Sequence, residues 1–139
     1  MTDPSELLKR VFGFDQFRGV QREVIDRVLA GQRTLAVMPT GAGKSLCYQV
    51  PALALDGTVL VVSPLIALMH DQIRAAEAFG LRAASLTSAD ANRGETMDRL
   101  KRGELHLLYV APERANRSAT RCRRWRGTAR LWSSRRSSR

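Results

Sequence analysis

A chain of 139 residues is long enough for one domain with a real core, and 44% hydrophobic content is ordinary for a soluble globular protein. No apolar run approaches the ~18 residues of a membrane span. The start, Met1-Thr2-Asp3-Pro4, lacks the basic and apolar regions of a secretion signal, and Cys47 and Cys122 form no metal or disulfide pattern. A cytoplasmic, membrane-free setting is expected. The net charge of +10 is not evidence of a basic binding face on the folded part. Residues 1–114 carry 14 Lys+Arg against 13 Asp+Glu, whereas residues 115–139 carry 9 Arg and no acid.

Asp3-Pro4 is a helix start, a capping acid followed by Pro at the first helical position. Leu7, Leu8 and Val11 form a short apolar stripe, and Gly13 ends it. The stretch Phe12-Gly13-Phe14-Asp15-Gln16-Phe17-Arg18 leads into a second helix, with Val20, Val24, Ile25, Val28 and Leu29 at helical spacing. Pattern alone assigns Phe12, Phe14 and Phe17 to core packing.

Thr34-Leu35-Ala36-Val37 reads as a buried strand, and Leu46-Cys47-Tyr48-Gln49-Val50 as the opening of a helix. Between them lies Met38-Pro39-Thr40-Gly41-Ala42-Gly43-Lys44-Ser45. A strand, a Gly-rich turn, Lys-Ser and a helix make a phosphate-binding loop. Gly41 and Gly43 let backbone amides curl around an anion, and the helix start favours negative charge. Lys44 reaches toward the β- and γ-phosphates, and Ser45 offers its hydroxyl to Mg²⁺. The usual first Gly of this pattern is Met38 here. The segment points to a bound nucleoside triphosphate.

Downstream, Thr58-Val59-Leu60-Val61-Val62 is a β-branched run suited to a central parallel strand buried on both faces. It stops at Ser63-Pro64. Leu65 to Phe79 reads as a helix, Arg82 to Leu86 as a strand, Ala91 to Arg102 as a surface helix and Leu105 to Val110 as a strand. Strands alternating with helices predict an α/β fold with a parallel sheet and flanking helices. In such sheets ligands gather at the carboxyl ends of strands, where the phosphate loop, Ser63-Pro64 and Pro112-Glu113-Arg114 all fall.

Four segments, taken in order, resemble the RecQ-type ATP-dependent DNA helicases, from about Leu7 to Arg114. They are Phe12 to Gln21, Met38 to Gln49, Val62-Ser63-Pro64-Leu65-Ile66-Ala67-Leu68-Met69-His70-Asp71-Gln72, and Tyr109-Val110-Ala111-Pro112-Glu113-Arg114. The resemblance implies the RecA-like P-loop fold and unwinding with three-prime to five-prime polarity in recombination and repair, using ATP and Mg²⁺. It puts Phe14 at the aromatic that stacks on adenine, Arg18 beside the base and Gln21 on the adenine edge. An amide that donates and accepts at once suits adenine, so ATP outranks GTP. Thr40, Gly41, Ala42, Gly43, Lys44 and Ser45 become the phosphate-binding residues, with Lys44 and Ser45 carrying the catalytic roles and Ser45 the metal. Ser63, Pro64, Leu65, Pro112, Glu113 and Arg114 become contacts to single-stranded or partly duplex DNA; their plainer reading is solvated turns at the sheet edge. A monomer is expected. The family's usual Pro-Gly before the Gln is Gly19-Val20 here, and Ala42 replaces a usual Gly.

The family also carries Asp-Glu-Ala-His on the strand after the Pro-Glu-Arg segment, together with a second RecA-like domain, and zinc-binding and winged-helix parts. No Asp-Glu dipeptide occurs anywhere in this chain. Residues 1–114 are therefore expected to be a partial ATP-binding domain with one sheet edge left unpaired. Residues 115–139, with 9 Arg and 5 Ser, are expected to be a disordered tail or out-of-frame translation of GC-rich DNA. A non-hydrolysing module that binds ATP and nucleic acid is the alternative function, and a compact P-loop kinase has no support.

Overall fold

The computed structural model describes residues 2–39 and 43–114, and the backbone of 129–133. The chain forms two compact units, Met1–Asp56 and Gly57–Arg139, and each is described by itself.

The first unit is helical. Helix α1 (Pro4–Leu7) starts where Asp3 accepts the Ser5 backbone N–H at 2.6 Å, a contact that holds the Asp3 carboxyl below its usual range. The chain continues as a π-helical turn over Leu8–Phe12 and ends at Gly13, whose φ of 72° is the left-handed conformation that glycine adopts without a Cβ penalty. Helix α2 (Gln21–Leu29) buries Val24 and Ile25, and helix α3 (Leu46–Ala54) buries Cys47 through Ala52. Both α1 and α2 contact α3. Burial pushes the Cys47 thiol up to about 11 and keeps it neutral.

The expected strand at Thr34–Val37 does not form. Leu35 is 92% and Val37 86% exposed, and the segment has no ladder partner among the described residues. Apolar, β-prone residues supply the side chains of a strand, but only a neighbouring chain satisfies its backbone.

The second unit is a parallel sheet of strands β1 (Thr58–Val62), β2 (Ala83–Leu86), β3 (Leu107–Val110) and β4 (Ala129–Ser133), in the order β2-β3-β1-β4. Helices α4 (Ile66–Ala78) and α5 (Arg93–Lys101) make the crossovers. All four residues of β3 are buried, as a strand covered on both faces requires. Leu86, Leu105, Leu108 and Val110 form a core cluster on which Met97 and Leu100 of α5 pack, and each such leucine contributes about 1.5–3 kcal/mol of burial. Thr58 anchors the start of β1 by donating its hydroxyl to the Leu105 carbonyl at 2.7 Å.

Strand β4 corrects the expectation of a disordered or out-of-frame tail at residues 129–133 alone, and places them on a sheet edge that was expected to be unpaired. Its backbone pairs along the whole of β1, from Thr58↔Ala129 to Val62↔Ser133. The physical reason lies in β1. Its outer edge presents a row of N–H and C=O groups that need partners, and the 129–133 segment contains no proline to interrupt a ladder. Residues 115–128 and 134–139, Cys122 and Trp125 among them, lie outside the described residues.

At the amino end of the sheet, His106 Nδ1 accepts the Arg82 backbone N–H at 3.0 Å, and Arg82 Nη2 lies 3.1 Å from Nε2. Burial, then the neighbouring guanidinium, holds the imidazole pKa below its ordinary 6.5. The unfolded chain therefore binds the proton more readily than the folded one. Stability should be fully present above pH 6.5 and fall as pH drops through the lowered folded value. Melting temperatures from pH 7.5 to 5 should show this decline, and His106→Gln should flatten it. An unchanged slope in that variant would assign the decline to other groups.

Among the described residues no helix is long and apolar enough to cross a membrane.

Candidate nucleotide site and sheet edge

Gln21 opens α2 and is only 2% exposed, yet it is polar, so its amide must be satisfied inside the protein. Its Oε1 accepts the Arg18 backbone N–H at 2.8 Å, and its Nε2 donates to the Gly43 carbonyl at 3.1 Å. Arg18, Gln21 and Gly43 are thus brought together across 22 positions of sequence. The same closeness explains the glycine. Gly43 has φ 69°, and a Cβ there would collide with Gln21 Nε2.

Beyond Gly43, Lys44 is exposed, and none of the ion pairs among the described residues involves it. Ser45 stands at the N-cap of α3. Its carbonyl accepts the Gln49 N–H at 2.9 Å, while its side chain makes no capping hydrogen bond. With no acid in the first turn of α3, the positive end of the helix dipole has no carboxylate beside it. A glycine in a left-handed bend, an unpaired lysine, an uncommitted hydroxyl and an uncompensated helix start fit the phosphates of a nucleotide. For a divalent ion they fit less fully. Ser45 supplies one oxygen, and no group of three His, Cys, Asp or Glu side chains among the described residues could hold a metal. Thr40, Gly41 and Ala42 lie outside the described residues.

The aromatic residues separate. Phe12 is buried and Phe17 half-buried, in agreement with core packing, but Phe14 is 45% exposed. The packing assignment for Phe14 is therefore corrected: almost half of its surface stays open to solvent. Its ring is open to stack on a flat ligand. Sequence reasoning missed Arg22, which joins Asp26, Ser5 and Asp3 and lies over the Phe17 ring. The Asp26 pairing could have been read from its four-residue spacing.

In the second unit, the register Val62↔Val110↔Leu86 sets the carboxyl ends of three adjacent strands side by side. Ser63 is buried and donates its N–H to the Val110 carbonyl at 3.1 Å, so Ser63-Pro64-Leu65 and Pro112-Glu113-Arg114 leave neighbouring strands on one edge. Pro64, Leu65, Pro112 and Glu113 are exposed and Arg114 is half-buried. At the third strand end, Asp90 accepts from the Thr87 N–H at 2.6 Å and the Ser85 hydroxyl at 3.1 Å, fixing that turn.

Comparison with known proteins bears on the fold and the family. The sequence profile of the family described as DEAD/DEAH box helicase matches residues 18–132, past Arg114 and into β4. The ATP-dependent DNA helicase RecQ of Haemophilus influenzae is 50% identical over 110 residues, 78% of this chain and 18% of that protein. RecQ of Bacillus subtilis is 48% identical over 111 residues, covering 78% and 19%. The chain thus spans about a fifth of the length of these relatives. Among solved structures, a hypothetical ATP-dependent RNA helicase from Sulfolobus tokodaii superposes with a TM-score of 0.63 at 23% identity, over 86% of this chain and 37% of that one. That likeness shows the same parallel α/β helicase fold. With the profile matched over most of its length, the chain belongs to the DEAD/DEAH box helicase family.

Proposed function

We propose that this chain is the ATP-binding N-terminal portion of a RecQ-type DNA helicase, and that by itself it binds ATP and single-stranded DNA without sustained turnover. The observation that carries the nucleotide half is the Gln21 amide, which ties the adenine-side segment to the phosphate loop at Gly43. In this reading Phe14 stacks on adenine and Arg18 flanks it, and Gln21 addresses the base edge only by giving up one of its bonds to Arg18 or Gly43. Thr40 to Lys44 cradle the phosphates, and Ser45 ligates Mg²⁺. The ion, held in part by the Ser45 hydroxyl, would supply neutralisation of phosphate charge. Single-stranded or partly duplex DNA would lie along the exposed Pro64-Leu65 and Pro112-Glu113-Arg114 edge. The nine arginines of residues 115–139 would add salt-sensitive attraction for its backbone. We take the working state to be a monomer in the cytoplasm.

Turnover needs more than binding. The Asp and Glu that hold the ion and position water in the family have no Asp-Glu counterpart here, and an arginine finger alone is worth ~10³–10⁵ in rate. An ATPase assay with and without single-stranded DNA tests this. The expected result is saturable nucleotide binding with no steady DNA-stimulated release of phosphate. Sustained turnover would overturn the binding-only reading and leave the motor reading standing.

A further inference from the structure

The segment from Phe14 to Val20 carries Phe14 and Arg18, and it crosses from the end of the first helical turns to the start of α2 with no regular structure of its own. Such a loop binds a ligand well only if its conformation is held before the ligand arrives. Its two ends are tied, Phe14 N–H to the Leu8 carbonyl at 3.3 Å and Gln21 N–H to the Arg18 carbonyl at 3.1 Å. Its middle meets one side chain. The Arg22 guanidinium carbon lies 6.0 Å from the centroid of the Phe17 ring. Its Nε is 2.9 Å from both Asp26 carboxylate oxygens, its Nη1 donates to Ser5 Oγ at 2.6 Å, and Nη1 is 3.6 Å from Asp3 Oδ1. The planar, forked guanidinium is the side chain that can face a ring while its edge N–H groups serve several acceptors.

We propose that Arg22 is a positioning residue for the base-binding loop: through Phe17 it braces the loop against α1 and α2, and so sets where Phe14 and Arg18 stand. This rests on the nucleotide reading above and adds to it a residue that touches no ligand. Arg22 acts on the base end alone, since the phosphate end is tied through Gln21 and Gly43. Its loss should therefore weaken a ligand with a base and spare a ligand without one.

The test uses the full chain and two probes, ATP and inorganic tripolyphosphate, titrated calorimetrically. Arg22 pairs at the surface, so the expected effect is moderate. Arg22→Ala should bind ATP about three- to tenfold more weakly and keep tripolyphosphate affinity within about twofold. Ser5→Ala removes one of the four anchors and leaves the Asp3 cap, so it serves if Arg22→Ala misfolds. It should move the ATP-to-tripolyphosphate ratio in the same direction by about twofold. Equal weakening of both probes would make Arg22 a support of the whole unit and overturn the proposal, as would an unchanged ratio in either folded variant. A parent chain that prefers ATP no more than tripolyphosphate would fail the adenine reading itself, a result distinct from failure at Arg22.

Discussion

Lys44→Ala should weaken ATP binding by about 10- to 100-fold while leaving the melting temperature nearly unchanged. Lys44 is exposed at the start of α3 and takes part in none of the ion pairs among the described residues, so the fold loses little with it. In the proposed site the ligand loses the cation next to Ser45. A hydrogen bond to a charged partner is worth ~1.5–3 kcal/mol, and each 1.4 kcal/mol is about tenfold in affinity. Titration of ATP into the parent and the variant reads this directly. Unchanged affinity would remove Lys44 from the site.

Gly43→Ala should damage both stability and binding. Two costs coincide at this position. A φ of 69° places any Cβ in the left-handed region, at about 1–2 kcal/mol. The same Cβ meets Gln21 Nε2, which must withdraw and abandon its bond to the Gly43 carbonyl inside the protein. An unsatisfied buried polar group adds ~1–3 kcal/mol. The expected outcome is a lower melting temperature together with a loss of ATP affinity of at least about tenfold. Adding Gln21→Ala to Gly43→Ala removes the collision but not the backbone cost, so the double variant should recover stability only in part. A Gly43→Ala chain that melts and binds like the parent would show that the loop accommodates a side chain there.

These two effects differ in how visible they were beforehand. The assignment of Lys44 and Ser45 comes from a short motif, because a phosphate-binding loop uses local backbone and one helix start. The Gln21–Gly43 bond could not be read this way, since hydrogen bonds between residues 22 apart leave no trace in local pattern. The resemblance implies an adenine contact at Gln21, and the geometry shows its amide engaged by the Arg18 N–H and the Gly43 carbonyl. Phe14 shows the same limit. Three nearby phenylalanines read alike as core, yet Phe14 is exposed where Phe12 is buried and Phe17 half-buried.

In the sheet, Thr58–Val62 and Leu107–Val110 were legible because strands buried on both faces are continuous apolar runs. Thr34–Val37 has a similar composition and forms no strand, while Ala129–Ser133, within an arginine- and serine-rich stretch, pairs along the length of β1. Strand formation is decided by the availability of a partner edge, and no window of sequence contains that information. The carboxyl-end edge formed by Ser63-Pro64 and Pro112-Glu113-Arg114 followed from the alternation of strands and helices, because parallel crossovers bring the same ends of successive strands together.

The most direct test of the account is a calorimetric titration of the intact chain with ATP in Mg²⁺, repeated with GTP. The account predicts one saturable site per chain that prefers ATP, because the proposal sets Phe14 and Arg18 against a base, with Gln21 behind them, and Gly43, Lys44 and Ser45 against phosphates. Absence of saturable binding, or equal affinity for ATP and GTP, would contradict it.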